Sequence, residues 1–578
     1  MKIVIIAEKP SVAREIASIV GATKKEDGFI VGNNYLVTWA FGHLIQLAMP
    51  EQYGAIGFNR ANLPIIPKYF ELIPRQIKAD KGYKVDAGAL KQLKVIEKLF
   101  NQCDKIIVAT DAGREGELIF RYIYEYLKCN KPFDRLWISS LTEKAIRQGL
   151  ENLKAGKDYD NLYDAAKTRS QADWLVGINA TQALSIAAGR GVYSLGRVQT
   201  PTLAMICSRY LENMNFKSVP YWQHQLNVSH SNKQLKAVSI EKYETQSEVE
   251  TIKEQLSQST QTVVSEVESK VVTQEPPLLY DLTALQKEAN TKHGFSADKT
   301  LSIAQKLYEA KLITYPRTGS RYLSDDVYDT ISDLVNFHVD EEFILECLDY
   351  NRHSVDDKKV TDHHAIIVTE NALKENLSED ENTIYTMIFN RMLEAFSQKS
   401  ITEQVKVSFD VNGLLFLVKG SVIKELGWKK VLGIPNEEKD EYGQELLNLQ
   451  KDDVWNIDSI ELLEKQTKPK PLHTEASLLS AMETAGKDLE DDAQRQAMKT
   501  SGLGTPATRA SIIETLFARD YIKREKKSLV PTPKGLTVYE VVKDKQIADV
   551  ELTGMWEDAF MKIESGSVDA NNFKKSIE

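Results

Sequence analysis

Two short runs decide the fold: Lys2-Ile-Val-Ile-Ile-Ala7, followed at once by Glu8-Lys9-Pro10-Ser11, and Lys105-Ile-Ile-Val-Ala-Thr110, followed by Asp111-Ala-Gly113-Arg114-Glu115-Gly-Glu117. Each is an apolar, β-branched run of strand length that ends in an acid, and each leads into residues with helical spacing. After the first, Val12, Ile16 and Ile19 give one apolar face to a helix opened by Ser11 and closed by Gly21. After the second, Leu118, Ile119, Tyr122, Ile123 and Tyr126 do the same. This alternation predicts an α/β domain on a parallel sheet. Both acids then reach the carboxyl edge of the sheet, where open α/β folds bind their ligands.

Outward from this domain, residues 159–211 read as helix, 221–270 as strands and 280–400 as helix again. Strand signals return at 405–418, where Asn412-Gly413 marks a tight hairpin, and helices dominate after Thr474. The order suggests a middle inserted into the outer parts. A length of 578 residues predicts about four domains. Apolar residues at 42% and charged residues at 27% are ordinary globular composition, which excludes a collagenous or wholly disordered chain. No apolar run approaches the roughly 18 residues of a membrane span, and Ile3–Ala7 is too short for a signal peptide, so a cytoplasmic protein is expected. The cysteines, Cys103, Cys129, Cys207 and Cys347, form no C-x-x-C pair, so neither a zinc ribbon nor a disulfide framework is supported. A net charge of -10 argues against coating DNA by bulk charge, and confines any nucleic-acid site to a local basic groove.

Several segments carry chemistry. Glu8, Asp111 and Glu115 offer the hard oxygen donors that suit Mg²⁺, although such acids also make ordinary solvated turns. In Leu312-Ile-Thr-Tyr315-Pro316-Arg317-Thr-Gly319, the proline pushes Tyr315 out of helical geometry and onto a loop. A phenol needs help to act as a nucleophile near neutral pH, and the nearby Arg317 can hold a phosphate oxygen; a structural turn is the plainer alternative. Asp362-His363-His364 offers a general acid, a phosphate donor or a metal ligand, zinc being the weakest of these with no nearby Cys or third His, and a satisfied surface pair is the plain alternative. Gly502-Leu-Gly504-Thr-Pro506-Ala507 matches a dinucleotide fingerprint only formally. The polar residues 494–501 before it are no strand, which leaves a Gly-rich turn entering a helix that carries Arg509. No G-x-x-x-x-G-K-[ST] occurs, so ATP hydrolysis by a P-loop is unsupported. Residues 169–202 combine Arg169, Trp174, Arg190, Arg197, Gln199 and Thr200 with few acids, which is the composition of a single-strand channel or of a helix pair with a buried tryptophan.

Taken together these segments resemble the type IA DNA topoisomerases, most closely their bacterial topoisomerase III group. Ile5-Ile-Ala-Glu8-Lys9-Pro10-Ser11 and Ala109-Thr-Asp111-Ala-Gly-Arg114-Glu115-Gly-Glu117 are similar to the acidic motifs of the family's Toprim domain. Ser170-Gln-Ala-Asp173-Trp174-Leu-Val-Gly177-Ile-Asn179 and Ser194-Leu-Gly196-Arg197-Val-Gln199-Thr200-Pro201-Thr202 are similar to its DNA-groove segments. Ile313-Thr-Tyr315-Pro-Arg317-Thr, His363-His364-Ala-Ile-Ile and Gly502-Leu-Gly504-Thr-Pro506-Ala-Thr-Arg509-Ala follow in the family's order.

The resemblance implies a toroid of α/β, helical and strand-rich parts. Toprim would span 1–153, a helical base 154–215 and 466–578, a strand-rich arch 216–278 and 404–465, and the nucleophile domain 279–403. It implies ATP-independent cleavage of single-stranded DNA by Tyr315 through a 5′-phosphotyrosyl link, then strand passage and resealing. Decatenation and relaxation of negative supercoils would follow. A Toprim nuclease or primase, or a single-strand binder, is the rival reading. Arg317 and Lys9 would stabilise phosphate charge, Glu8 would be the general acid, and His363 would hold the phosphate or assist proton transfer. Glu8, Asp111 and Glu115 would bind Mg²⁺. Arg114, Arg169, Trp174, Gln182, Arg190, Ser194, Leu195, Gly196, Arg197, Val198, Gln199, Thr200, His364 and Arg509 would contact DNA. The implied partners are single-stranded DNA and gapped or catenated duplex; the implied state is a monomer with no ATP and no membrane, in the cytoplasm at the nucleoid. Two departures stand out. Gly113 replaces the middle aspartate of the family's D-x-D-x-E, with Glu117 a candidate substitute, and the chain stops at Glu578 without a cysteine-rich zinc module, as expected of a truncated or short form.

Overall fold

The structure, a computed structural model, describes residues 2–79, 82–339, 341–371, 377–433, 446–499 and 502–578. Strand Ile3–Ala7 lies at the centre of a seven-stranded sheet whose neighbours run from Lys154–Ala155 through Phe133–Arg135 and Lys105–Ala109 on one side, and through Tyr35–Trp39 and Phe29–Gly32 to Lys24–Glu26 on the other. The four central strands are parallel and the outer pairs antiparallel. Val4 and Ile6 pack on one face with Leu93, Ile96 and Leu118, while Ile5 and Ala7 pack on the other with Val12, Ile16 and Ile146. This two-sided burial is why the strands read as continuous apolar runs. The register Ala7 to Ala109 delivers Glu8 and Asp111 side by side past the carboxyl edge. Ser11 does not open the first helix. Pro10 occupies the first turn of Pro10–Ile19, where its fixed φ suits the helix start, and the Ser11 hydroxyl instead meets that of Tyr308 at 2.9 Å.

A closed six-stranded barrel is built from two stretches of chain, in the order Pro220–His230, Lys233–Ser239, Leu414–Glu425, Ser400–Val411, Gln261–Gln274 and Val454–Gln466. Leu226, Val228, Phe409, Phe416 and Trp455 fill it. Asn412 and Gly413 both have positive φ, 54° and 86°, as a two-residue hairpin turn of the primed kind requires.

Between the barrel's two stretches, the described residues of 279–396 gather around Leu285, Ile303, Leu307, Ile366, Ile388 and Phe396. Helices Asp160–Ala188 and Gln199–Met214 pack with the C-terminal helices Glu475–Glu483, Pro506–Ala518, Pro533–Val542 and Val550–Glu564. The apolar core of this base, with Leu203, Leu478, Leu503 and Ile513, also takes in Leu282, Ala297 and Leu301. No apolar cluster among the described residues joins 279–396 to the seven-stranded sheet. Nor, among the described residues, is any helix long and apolar enough to cross a membrane.

Candidate active site

The acids at the carboxyl edge meet Tyr315 and His363 across the seam between the sheet and residues 279–396. Lys9 Nζ donates to Asp111 Oδ2 at 2.5 Å, lies 3.5 Å from Glu8 Oε1 and stands 3.8 Å from the centroid of the Tyr315 ring. His363 Nε2 is 3.1 Å from the same Asp111 oxygen, and its ring centroid is 4.5 Å from that of Tyr315. Glu8 Oε2 accepts from the backbone N–H of Asp111 at 3.3 Å. Tyr315 and His363 are neighbours because their two loops are zipped together. Thr314 N–H donates to Ile367 O at 2.9 Å, Ile367 N–H donates to Thr314 Oγ1 at 3.0 Å, and Thr318 Oγ1 donates to His363 O at 2.8 Å. Pro506, at the start of its helix, abuts the same loop, 3.3 Å from where a Cβ on Gly319 would stand.

Charge is concentrated here out of water. Burial pushes the Glu8 carboxyl up, with the Asp111 charge adding to the shift against the pull of Lys9. Burial also pushes Asp111 up, but His363 and Lys9 outweigh it and hold the group ionised, below its ordinary range. Lys9 feels burial as a downward pull, overcome by Glu8, Asp111 and Tyr315, so its ammonium is firmly held. Burial raises the Tyr315 phenol, and Lys9 only partly offsets this. The centre thus contains a neutral phenol, a fixed cation and two carboxyls driven in opposite directions, which is how acid and base roles are separated.

Glu115, the third acid of the expected metal set, is drawn aside: its Oε2 is 3.2 Å from His43 Nε2, and its Oε1 accepts from Arg169 Nη1 at 3.5 Å. Glu117 is no substitute ligand. It is fully buried and holds Arg135 Nε at 3.0 Å and Arg121 Nε at 2.8 Å. Gly113 opens its place to another acid, since a Cβ there would lie 2.8 and 2.9 Å from the two carboxylate oxygens of Asp362. All these donors are carboxylate oxygens, which suit a hard cation. Among the described residues, however, no three Asp, Glu, His or Cys side chains converge closely enough to hold one. Lys9 and His363 occupy Asp111 instead.

The expected DNA contacts divide into open and enclosed side chains. Arg317 and Arg190 are exposed, without an ion pair among the described residues. Arg169 is half-buried against Glu115. Arg114 is tied to Glu557 at 3.2 Å and Glu564 at 3.0 Å. Arg197 is not a groove-facing arginine: it is buried, with Nε on Asp173 at 2.9 Å and Nη1 on Glu557 at 3.3 Å, because desolvation of its charge demands carboxylate partners. Arg509 is likewise buried and donates to Thr283 Oγ1 at 2.8 Å, bridging the base to residues 279–396. Trp174 does not offer its ring as an open stacking surface. Its Nε1 donates to Ala48 O at 3.0 Å, and Tyr53 and Phe70 pack edge-on to it.

Residues 194–200 form a tight turn into the helix Gln199–Met214. Gln199 Nε2 donates to Ser194 O at 2.6 Å, Leu195 N–H to Thr181 Oγ1 at 3.0 Å and Gly196 N–H to Thr200 Oγ1 at 3.0 Å, with Val198 half-buried beside Gly504. Gln182 is buried. The His364 ring is enclosed, and burial lowers it to about 4, so it is a neutral group near pH 7. Thr500 and Ser501, before the Gly-rich turn, lie outside the described residues. Neither His43 nor Asp362 stands out in the sequence. The only signal for His43 is its place just past a parallel strand, Tyr35–Trp39, and Asp362 has none beyond adjacency to His363.

Comparison with known proteins gives the family. The sequence profile of the Toprim domain matches residues 3–141, and that of the DNA topoisomerase family matches residues 157–575. DNA topoisomerase 3 of Bacillus licheniformis is 39% identical over an alignment covering 100% of this chain and 80% of the relative. The Bacillus subtilis protein of the same name is 38% identical at the same coverage. Among solved structures, full-length topoisomerase I of Thermotoga maritima superposes with a TM-score of 0.70 at 25% identity, over 99% of this chain and 88% of that one.

Proposed function

Since the chain belongs to the type IA DNA topoisomerases, which cut one DNA strand, pass another through the break and reseal it without ATP, we propose that Tyr315 is its nucleophile and the seam around Lys9 its reaction centre. The observation that carries this reading is the placement of Tyr315 within reach of a held ammonium, an ionised carboxylate and a carboxyl pushed up by burial. The Tyr315 oxygen attacks phosphorus and the bond from phosphorus to the 3′ oxygen breaks. The phosphodiester becomes a phosphotyrosyl diester, so its energy is kept for resealing. Glu8 donates the proton that the departing 3′ oxygen takes up, and recovers it on religation. Lys9, with the exposed Arg317, offsets charge gathering on the phosphate oxygens. His363, bridging Asp111 and the Tyr315 ring, holds a phosphate oxygen or assists in moving the phenolic proton, which in either case leaves to solvent water.

Toprim domains generally bind Mg²⁺. Glu8, Asp111 and Glu115 supply the carboxylate oxygens that would hold it once Asp111 exchanges Lys9 and His363, and Glu115 exchanges His43 and Arg169, for the ion, which would supply further neutralisation of phosphate charge. The strand would lie along residues 169–202 with Arg114, Arg169, Arg190 and the turn 194–200, next to the Gly-rich turn before Arg509. The substrates that fit are single strands in gapped or catenated duplex, handled by a monomer at the nucleoid. Unlinking of gapped catenanes should outpace relaxation of ordinary supercoils. The test is to denature the protein on labelled single-stranded DNA. Wild type yields a covalent adduct and Tyr315→Phe none; no adduct from wild type, or an adduct from Tyr315→Phe, overturns the assignment.

A further inference from the structure

Residues 54–79 and 82–85 lie between the paired strands Ile45–Leu47 and Leu72–Pro74 or just past them, and end in a second strand pair, Gln76–Lys78 with Tyr83–Val85. No other stretch of the described chain exposes so many large apolar side chains: Tyr69 is 74% exposed, Ile56 76%, Tyr83 64% and Phe58 48%. The segment is nonetheless anchored. Ala55 and Ile65 are buried, Asn179 accepts from Ile65 N–H at 2.7 Å and donates to Ile65 O at 2.9 Å, and Glu71 N–H donates to the Tyr53 hydroxyl at 2.9 Å. Asn179 and Trp174, the residues that seat it, stand on the helix Asp160–Ala188, within the strand groove proposed for residues 169–202. At its other end Arg75 pairs with Asp86 and donates at 3.2 Å to the backbone oxygen of His43, the residue whose ring meets Glu115.

Its charge is opposite to that of the whole. Residues 54–85 hold six basic and two acidic side chains, against a chain total of -10. Arg60, Lys68, Lys78 and Lys84 are exposed and make no ion pair among the described residues. An anchored surface that exposes aromatic rings beside unpaired cations has the chemistry of a single-strand platform, where bases stack and phosphates meet charge. A peptide-binding patch would share the apolar residues but gives no reason for the excess of cations.

We propose that residues 54–79 and 82–85 form a second single-strand platform, continuous with the groove along Asp160–Ala188, on which Tyr69 and Phe58 stack bases of the strand beyond the stretch being cut. The inference rests on the groove assignment above and lengthens it. The loop takes over the role that composition suggests for Trp174: that ring is the footing of the platform, and the loop above it carries the stacking surface.

The test measures affinity of the full-length protein for two single-stranded oligonucleotides, one just long enough to fill the groove at Tyr315 and one longer. Tyr69→Ala with Phe58→Ala should weaken the longer about ten-fold and leave the shorter unchanged. Tyr69→Phe should bind both like wild type, which guards against a merely misfolded loop. Arg60→Gln with Lys68→Gln should lower the salt dependence for the longer strand by about 0.7 in logarithmic slope for each phosphate no longer neutralised. Equal weakening on both lengths, or wild-type affinity in the alanine variant, would overturn the platform. Adduct formation on the shorter oligonucleotide is scored separately, so failure of Tyr315 to react would count against the reaction centre and not against this surface.

Discussion

The body that carries Tyr315 has two faces of opposite character. Toward the helical base it shares an apolar core, with Leu282, Ala297 and Leu301 among Leu478, Leu503 and Ile513. Buried polar contacts reinforce that face, since Glu475 accepts from Ala297 N–H at 2.7 Å and Arg509 donates to Thr283. Toward the sheet, among the described residues, its contacts are polar. Ser11 meets Tyr308 at 2.9 Å, His363 meets Asp111 at 3.1 Å, and Asp326 Oδ2 accepts from Ser140 Oγ at 2.9 Å and Thr142 Oγ1 at 2.8 Å. Apolar burial is forfeited wholesale when such a face parts, whereas half-buried hydrogen bonds are exchanged for hydrogen bonds to water at a smaller net cost each. The seam at the reaction centre is therefore the less costly of the two to part.

The contrast can be broken first on the apolar face. Leu282→Ala removes a fully buried side chain and should cost about 2–5 kcal/mol, read as a lower melting temperature with loss of the closed form. On the polar face, Asp326→Ala should cost about 1–2 kcal/mol of closure while hardly moving the melting temperature, read as energy transfer between dyes on the two bodies. A melting shift as large as that of Leu282→Ala would erase the distinction. A separate effect is acid sensitivity near the same seam. Burial lowers His364 to about 4 from an ordinary 6.5, so the unfolded state binds the extra proton between those values. Stability is therefore complete above about pH 6.5 and lost progressively as pH falls toward 4. Melting curves at pH 7 and pH 5 should separate for wild type and draw together for His364→Gln.

Much of this is legible in the sequence, and what is not shares one cause. The parallel sheet follows from two apolar runs ending in Glu8 and Asp111, and the barrel hairpin from Asn412-Gly413, because strand period and turn chemistry are local. Ser11 reads as a cap but is none, because its true partner is Tyr308, far along the chain. Arg197, Arg509 and Trp174 look like groove residues because composition counts an arginine or a ring without showing which acid or carbonyl it turns toward. The approach of Asp362 to Gly113, and the docking of Asp326 on Ser140 and Thr142, leave no local signature at all, since each depends on two separately folded bodies closing on one another.

The most direct test of the opening seam is a cysteine pair, Ser140→Cys with Asp326→Cys, placed where the two bodies now meet through a hydrogen bond. The oxidised protein should still form the Tyr315 adduct on single-stranded DNA, yet fail to relax plasmid or unlink catenanes until reduced. If the oxidised protein, with the crosslink confirmed, passed strands as fast as the reduced one, the gate would not lie at this seam.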